Sequence, residues 1–165
     1  MLHEVRLLPD PILSRRAEPL SEIDGFALGV AGDLLETMRG TPHSVGVAAP
    51  QIGVGIRAFC VDVSGHRKAR SCHGELVLFN PVILVAEGRE LGREGCMSVP
   101  DLTGDVGRAA RLVVTGLTSA GEEQVLECEG FEARAVQHEV DHLDGRVFLD
   151  RVASADHVFR RKRYR

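Results

Sequence analysis

The sequence predicts an α+β fold in which antiparallel β-sheets surround a central, buried helix. Helical and β-rich segments are segregated along the chain rather than alternating, which favours α+β over a doubly wound sheet. Short β-rich runs separated by turn residues fill the middle of the chain. The helix expected near residue 140 is apolar on more than one side, and such a helix is normally buried.

Size and composition indicate a single globular domain spanning residues 1–165. A chain of this length buries roughly 70% of its unfolded surface, so it needs no disulfide bond or structural metal in order to fold. The net charge of −4 argues against a specific DNA-binding protein. No apolar run approaches about 18 residues and the N-terminus is charged, so we expect a cytoplasmic protein without membrane contact.

The N-terminal part is expected to hold a short helical turn at Asp10 and then one helix. Residues 21–24 show a capping-box pattern at its start, and Gly40 followed by Pro42 ends it. Its apolar stripe consists of Leu28, Ala31, Leu35 and Met38. β-rich runs follow at residues 57–63, 75–79, 81–85, 111–117 and 122–128, of which the last two form a hairpin.

A second helix is expected over residues 131–143, with Gly145 beyond its end. One apolar stripe consists of Ala133, Val136, Val140 and Leu143, and another of Phe131, Ala135, His138 and His142. The second stripe carries two histidines within the pattern HExxH. Residues four apart lie on the same helix face, with Cβ atoms about 5–6 Å apart.

Two imidazoles placed in this way can bind one metal ion. Glu139, which lies between them in the sequence, can act as general base toward a metal-bound water. Chance alone gives the pattern in roughly a few per cent of chains with similar composition. Buried histidines that are satisfied by hydrogen bonds therefore remain the alternative interpretation.

A catalytic metal site usually needs a third protein ligand in addition to a water molecule. Downstream of the motif the candidates are Asp144, Asp150, Asp156 and His157. Upstream, Cys96 lies in a glycine-containing segment shortly before Pro100, which fits a ligand in an exposed loop. Taken alone, this cysteine would more often be a buried thiol. The other three cysteines are interpreted as packing or surface residues.

Residues 44–51, SVGVAAPQ, form a third notable stretch. Its small residues let a ligand approach the backbone closely, and the Gln51 amide can donate to a carbonyl oxygen. The alternative interpretation is a tightly packed turn.

Together, these stretches resemble the peptide deformylase family, which carries GxGxAAPQ, EGCxS and HExxDH segments in this order. Here the segments are residues 44–51, 94–98 and 138–142, with flanking matches at residues 9–13, 80–81 and 143–145. The resemblance thus covers nearly the whole chain. It implies a metal-dependent amide hydrolase that removes the N-terminal formyl group from formyl-methionyl nascent polypeptides.

The resemblance also implies a metal site and a mechanism. Cys96, His138 and His142 would bind one divalent metal ion per chain, with water in the fourth position. Fe(II) is the usual metal of the family, and zinc, nickel or cobalt can replace it; the ligand set alone would suit zinc as well. Glu139 would be the general base for attack by the metal-bound water.

Further roles follow from the same resemblance. The Gln51 side chain and the backbone N–H of Met97 would stabilise the developing oxyanion, while Glu94 and Arg108 would pair and brace the cysteine segment. The pocket for the first side chain of the substrate would include Val45, Gly46, Phe131, Ala135 and His138. The expected partner is an extended formylated peptide. The basic residues 159–165 are interpreted as a solvated tail or as a surface for transient ribosome contact.

Three positions depart from the family pattern. Ser44 replaces a glycine, Thr103 replaces an arginine that contacts substrate in many members, and Gly107 replaces a frequent proline. These departures concern loop geometry and substrate preference rather than metal ligands. The alternatives are a metallopeptidase or amidase that spares formyl groups, a non-catalytic binding protein, and a structural metal site. The last needs four protein ligands, and no fourth is evident.

Overall fold

A computed structural model of the protein describes residues 2–161, so residues 162–165 of the basic C-terminal run lie outside the described residues. The described chain contains two α-helices and eight strands in two antiparallel sheets, which confirms the predicted α+β fold. The helices are α1 (Gly25–Gly40) and α2 (Gly130–Leu143). The strands are β1 (Gly46–Ala48), β2 (Ala58–Val61), β3 (Leu76–Glu87), β4 (Glu90–Cys96), β5 (Val99–Arg108), β6 (Arg111–Leu117), β7 (Glu123–Glu129) and β8 (Val158–Arg160).

The larger sheet has the strand order β1-β2-β3-β6-β7, and the smaller sheet has the order β4-β5-β8. The predicted hairpin is confirmed as β6 and β7, in which Val114 is paired with Leu126. Helix α2 packs into the main core: the whole predicted stripe of Ala133, Val136, Val140 and Leu143 is buried there beside strand residues such as Phe59 and Leu112. The prediction of a buried helix is therefore confirmed.

Helix α1 begins later than the capping-box pattern predicted. Its cap is Asp24, whose side chain accepts a hydrogen bond of 3.0 Å from the backbone N–H of Ala27. The predicted stripe is wrong for Leu28, which is 47% exposed. The buried face instead consists of Ala27, Val30, Ala31, Leu34, Thr37 and Met38. Neither helix is long and apolar enough to cross a bilayer within the described part of the chain.

The two β-rich runs predicted at residues 75–85 form the single strand β3. Its register is irregular near Asn80, which has a φ of 50° and exchanges two hydrogen bonds of 2.8 Å with the backbone of Leu20. Strands β1, β4, β5 and β8 were not predicted. Strands β4 and β5 are rich in glycine and charge, so they lack the alternation of apolar and polar residues that reveals a strand.

Candidate metal centre and active site

The three predicted metal ligands meet where the end of β4 faces helix α2. The Cys96 Sγ lies 3.3 Å from the Nε2 of His142, and one donor atom from each of Cys96, His138 and His142 lies within 4.8 Å of the other two. We call these residues the first donor cluster. The expectation of an exposed loop for Cys96 is wrong: this residue ends a strand and is only 5% exposed, because it packs in a small core with Val99 and Phe148.

The electrostatics of this cluster favour a thiolate. Burial alone would raise the pKa of the Cys96 thiol, but the charges and hydrogen bonds of His142 and His138 hold it well below its usual value. Burial lowers the pKa of His138, but hydrogen bonds with Cys96 and Glu94 outweigh it and raise the pKa well above normal. These shifts describe a thiolate paired with a protonated His138, and loss of that proton leaves a thiolate and two imidazoles, a donor set that suits a divalent transition metal.

Glu139 is a buried carboxylate without a full set of partners. Glu139 is only 4% exposed, and yet its Oε2 has no hydrogen-bond partner within the described residues. Burial raises the pKa of Glu139 to about 7 against the opposing charges of His138 and His142. Gly46 provides space for this group, because a Cβ added there would lie 3.0 Å from the Glu139 Oε1. The carboxylate can therefore accept or release a proton near neutral pH.

A network of buried charges holds His138 from behind. The His138 Nδ1 lies 2.8 Å from the Glu94 Oε1, and Arg108 donates two hydrogen bonds of 2.9 Å to the same carboxylate. Arg108 also donates to Asp141, and Arg134 donates to Glu94 at 2.7 Å. Burial by itself would raise the pKa of Glu94, but the hydrogen bonds from His138 and Arg108 hold it well below its usual value. With Nδ1 engaged in this way, the Nε2 of His138 remains for a metal.

The Gln51 side chain is fixed by hydrogen bonds at both ends. Its Oε1 accepts from the backbone N–H of Ala48 at 3.0 Å, and its Nε2 donates to the Ser98 Oγ at 3.1 Å. The same nitrogen lies 3.5 Å from the Cys96 Sγ. Gln51 is 1% exposed, so this amide is held rigidly beside the first donor cluster.

A cavity of about 590 Å³ opens over the first donor cluster. Most of the predicted site residues line it, namely Val45, Gly46, Gln51, Glu94, Cys96, Met97, Phe131, Ala135, His138 and Glu139. Arg108 and His142 are absent from its lining. The remaining lining residues were given no site role by the sequence, although Ser44, Gly95 and Arg161 lie in segments that it singled out; they are Pro42, His43, Ser44, His66, Arg93, Gly95, Arg134 and Arg161.

One of these missed residues is a ring that covers Phe131. His66 belongs to the loop between β2 and β3 and stacks on the Phe131 ring, with centroids 3.9 Å apart and an angle of 12° between the planes. No local pattern in the sequence indicates that this loop reaches the cavity. In the structure, this loop approaches the start of α2 through a β-bridge between Ala69 and Gly130.

The structure gives the backbone conformation or the neighbours of each of the three residues that depart from the family pattern. Ser44 is not among the described residues with positive φ, whereas the neighbouring His43 has a φ of 63°. The guanidinium of Arg89 occupies the space in which a Cβ at Gly107 would lie. Thr103 lies in β5, between Gly95 of β4 and Phe159 of β8.

A second donor cluster, consisting of His73, Cys128 and Glu132, lies at the start of helix α2. Glu132 is 1% exposed; its Oε1 lies 2.7 Å from the His73 Nδ1 and accepts from the Ser71 hydroxyl at 2.8 Å. Its Oε2 accepts from the backbone N–H of His73 at 2.8 Å. Burial raises the pKa of the Cys128 thiol to about 12, assisted by the adjacent Glu132. This cluster anchors the loop between β2 and β3 to α2.

Comparisons with known proteins agree with this architecture. A family model described as Polypeptide deformylase matches residues 2–158. A peptide deformylase of Halothermothrix orenii is 42% identical over 149 residues, which cover 90% of this chain and 92% of that protein. One of Thermodesulfovibrio yellowstonii is 38% identical over 162 residues, covering 98% and 96%.

Solved structures show the same relationship. The crystal structure of peptide deformylase from Thermotoga maritima has a TM-score of 0.84 and 34% identity, and covers 93% of this chain and 99% of that one. A class I type b peptide deformylase from Acinetobacter baumannii, bound to Met-Ala-Ser, has a TM-score of 0.84 and 35% identity, with coverage of 92% and 99%.

Proposed function

We propose a function from a premise that the comparisons supply: this chain belongs to the polypeptide deformylase family. The proposed function is removal of the formyl group of formyl-methionyl nascent polypeptides by metal-dependent hydrolysis. Family membership makes it an enzyme that removes N-terminal formyl groups; the proposal adds the metal, the residues and the mechanism. One observation carries it: three donor atoms within 4.8 Å of one another lie beside a buried carboxylate with an unpaired oxygen, under a single cavity.

Cys96, His138 and His142 would hold one divalent metal ion, for which Fe(II) is the expected species and zinc, nickel or cobalt are replacements. The short distances in the first donor cluster and the low thiol pKa of Cys96 support this assignment. Such a cation supplies Lewis acidity, which promotes ionisation of water and polarises a carbonyl group. No fourth protein ligand belongs to the cluster among residues 2–161, so a metal ion held there would keep a position for solvent or substrate.

Glu139 is assigned as the general base. Its unpaired oxygen can take a proton from the attacking water and then deliver that proton to the amine that leaves. The buried position of this carboxylate between the two histidines supports this role, because it excludes competing solvent and keeps the group close to the reacting atoms.

Gln51 and the backbone N–H of Met97 are assigned to the oxygen of the formyl group. The rigid Gln51 amide ends beside the Cys96 sulfur, and Met97 follows that cysteine and lines the cavity. Removing one donor of this kind typically costs about 3–4 kcal/mol of transition-state stabilisation.

The first side chain of the substrate would enter the apolar wall formed by Val45, Gly46, Phe131 and Ala135. Strands β1 and β4 both line the cavity, and each is the terminal strand of its sheet. An extended peptide can hydrogen-bond to such an edge as an added strand. Contact of the basic C-terminal run with the ribosome stays a prediction.

The test is an anaerobic assay of formyl-Met-Ala-Ser, acetyl-Met-Ala-Ser and Met-Ala-Ser, with metal analysis of the same sample. We expect formate release from the formyl peptide alone, in a protein that contains about one divalent metal ion per chain. Cleavage of the unblocked peptide without release of formate would reject the proposal. So would full activity in protein that has been stripped of metal.

A further inference from the structure

Three arginines line the cavity, and they differ in what their side chains contact. Arg93 donates to Asp105 at 2.8 Å, and its guanidinium lies 3.9 Å from the centre of the Phe159 ring. Arg134 donates to Glu94 at 2.7 Å. The Arg161 guanidinium has no hydrogen bond or ion pair with any residue of the described chain 2–161. Of these three arginines, it is therefore the one whose guanidinium is available to a ligand within the described residues.

Arg161 is held in place by the pairing of β8 with β5. Its backbone N–H donates to the Asp101 carbonyl at 2.9 Å and so extends the pairing of Phe159 with Thr103 by two residues. Side chains alternate along a strand, so Phe159 and Arg161 project from the same face of the sheet. On that face Phe159 is covered by Arg93, which fixes the position of the strand.

Small residues give the Arg161 side chain a path across the sheet to the cavity. Gly95 of β4 pairs with Thr103 of β5. A Cβ added at Gly95 would overlap the Nη2 of Arg161 and would lie 3.5 Å from the Thr103 Cγ2. The guanidinium thus rests on Gly95, the residue that precedes Cys96 of the first donor cluster.

Among the described residues, the cavity offers this guanidinium no free carboxylate. Its two carboxylates are Glu94, which is bonded to two arginines, and Glu139, which is buried beside the histidines. An extended peptide in the cavity presents main-chain carbonyl oxygens, which are good acceptors for a guanidinium. A strand advances about 3.3 Å per residue, so a peptide with its formyl group at Cys96 would present the carbonyl oxygens of its later residues farther along the cavity, of which Arg161 is a lining residue.

We propose that Arg161 is a substrate-binding residue that donates hydrogen bonds to a main-chain carbonyl oxygen of the peptide beyond its first residue. This inference rests on the proposed function. It means that the chain recognises peptide length through a cation that directly follows β8. The C-terminal carboxylate of a short peptide could satisfy the same guanidinium, so the substrates in the test end in amides.

The experiment compares formyl-Met-amide, formyl-Met-Ala-amide and formyl-Met-Ala-Ser-amide. For Arg161→Ala we expect KM for the longest substrate to rise about tenfold, which is the size of a charge-assisted hydrogen bond that is partly exposed. Both kcat and the constants for formyl-Met-amide should stay within about twofold. Arg161→Lys should recover part of the loss, because it keeps the charge but not the planar fork.

The matched control is Arg160→Ala. Arg160 is the preceding residue, carries the same charge and projects from the opposite face of β8. An equal loss in Arg160→Ala would mean that the effect comes from net charge, and the inference would be overturned. An equal loss for all three substrate lengths, or no loss for any, would overturn it as well.

Binding of the product analogue Met-Ala-Ser-amide, measured by calorimetry, separates this inference from the proposed function. A wild-type protein that fails to release formate contradicts the function, whereas the Kd ratio of wild type to Arg161→Ala still decides the role of Arg161. We expect Kd to weaken about tenfold in Arg161→Ala. An unchanged Kd, or a change seen only with the free-acid peptide, would overturn the assignment to a main-chain carbonyl.

Discussion

Helix α2 contributes to two clusters of metal-binding residue types, and only one of them has the surroundings of a reactive site. In both clusters the donor atoms lie within 4.8 Å of one another. In the second donor cluster, both oxygens of Glu132 are hydrogen-bonded and the thiol of Cys128 stays protonated. Beside the first donor cluster, the Oε2 of Glu139 and the Nδ1 of His142 lack partners within the described residues.

The difference teaches that ligand type and proximity do not identify a metal centre. A buried polar atom without a hydrogen bond costs about 1–3 kcal/mol, so it persists where function compensates. The first donor cluster combines such atoms with a cavity, whereas the second donor cluster satisfies its carboxylate internally. We therefore interpret the first cluster as catalytic and the second as an anchor for the loop that carries His66.

Replacing Glu139, beside the first donor cluster, or Glu132, in the second, should give the largest difference in kcat. Glu139→Ala should lower kcat for formyl-Met-Ala-Ser by about 10²–10⁴-fold, because it removes the group that we propose as the general base. Glu132→Ala should leave kcat within about tenfold, since the hydrogen bonds of this carboxylate within the described residues go to Ser71 and His73 of the loop, and its other close neighbour is the Cys128 thiol. Steady-state kinetics with equal metal content measure both effects. A fully active Glu139→Ala protein would remove the distinction between the two carboxylates.

The metal content of the purified protein should differ between variants of Cys96 and Cys128. Cys96→Ala should lose most of its metal, whereas Cys128→Ala should retain about one equivalent per chain, because its thiol belongs to the satisfied cluster. Elemental analysis after dialysis against a weak chelator measures this. Loss of metal from Cys128→Ala alone would place the ion in the second donor cluster.

The buried network behind His138 should contribute strongly to stability. Arg108→Ala leaves Glu94 and Asp141 short of a buried partner, and breaking a buried pair in this way costs about 3–5 kcal/mol. Arg111→Ala is the control, because its pairs with Glu87 and Glu127 are exposed and such pairs contribute at most about 1 kcal/mol. Urea unfolding of the two variants should show the difference; similar losses would contradict it.

Thiol reactivity should give the smallest and most local contrast. At pH 8 a thiol with a pKa near 12 is ionised in about one molecule in ten thousand, so Cys60 and Cys128 should stay unmodified in the folded protein. The exposed Cys72 should react rapidly with a disulfide reagent. Removing the metal should add one reactive equivalent, from Cys96, which lines the cavity. Rapid modification of four thiols in the folded protein would contradict this assignment.

The sequence predicted those parts of the molecule in which local periodicity and tertiary burial agree. The spacing of His138 and His142 required a helix, and α2 supplies it. The hairpin of β6 and β7 was visible from its alternating residues and its turn. The start of α1 was misplaced because Ser21 and Asp24 are both good caps, and tertiary packing decides between them.

Other parts depend on contacts that no local pattern records. The burial of Cys96 depends on β4 pairing with β5, and both strands are too polar and glycine-rich to be recognised. His66 reaches the cavity from a loop, and Arg161 reaches it from the residue that follows β8. These two residues are 95 positions apart in the sequence. The second donor cluster joins residues more than fifty positions apart through the fold of one loop.

Helix α2 would not be stable as an isolated helix. It buries Glu132, Glu139, Asp141 and His142 along with its apolar residues, and an isolated helix of 14 residues is marginal in water even without such groups. Its conformation is therefore imposed by the two sheets that enclose it. A variant that loosens either sheet should therefore disturb the geometry of the candidate site even where it changes none of the residues that line the cavity.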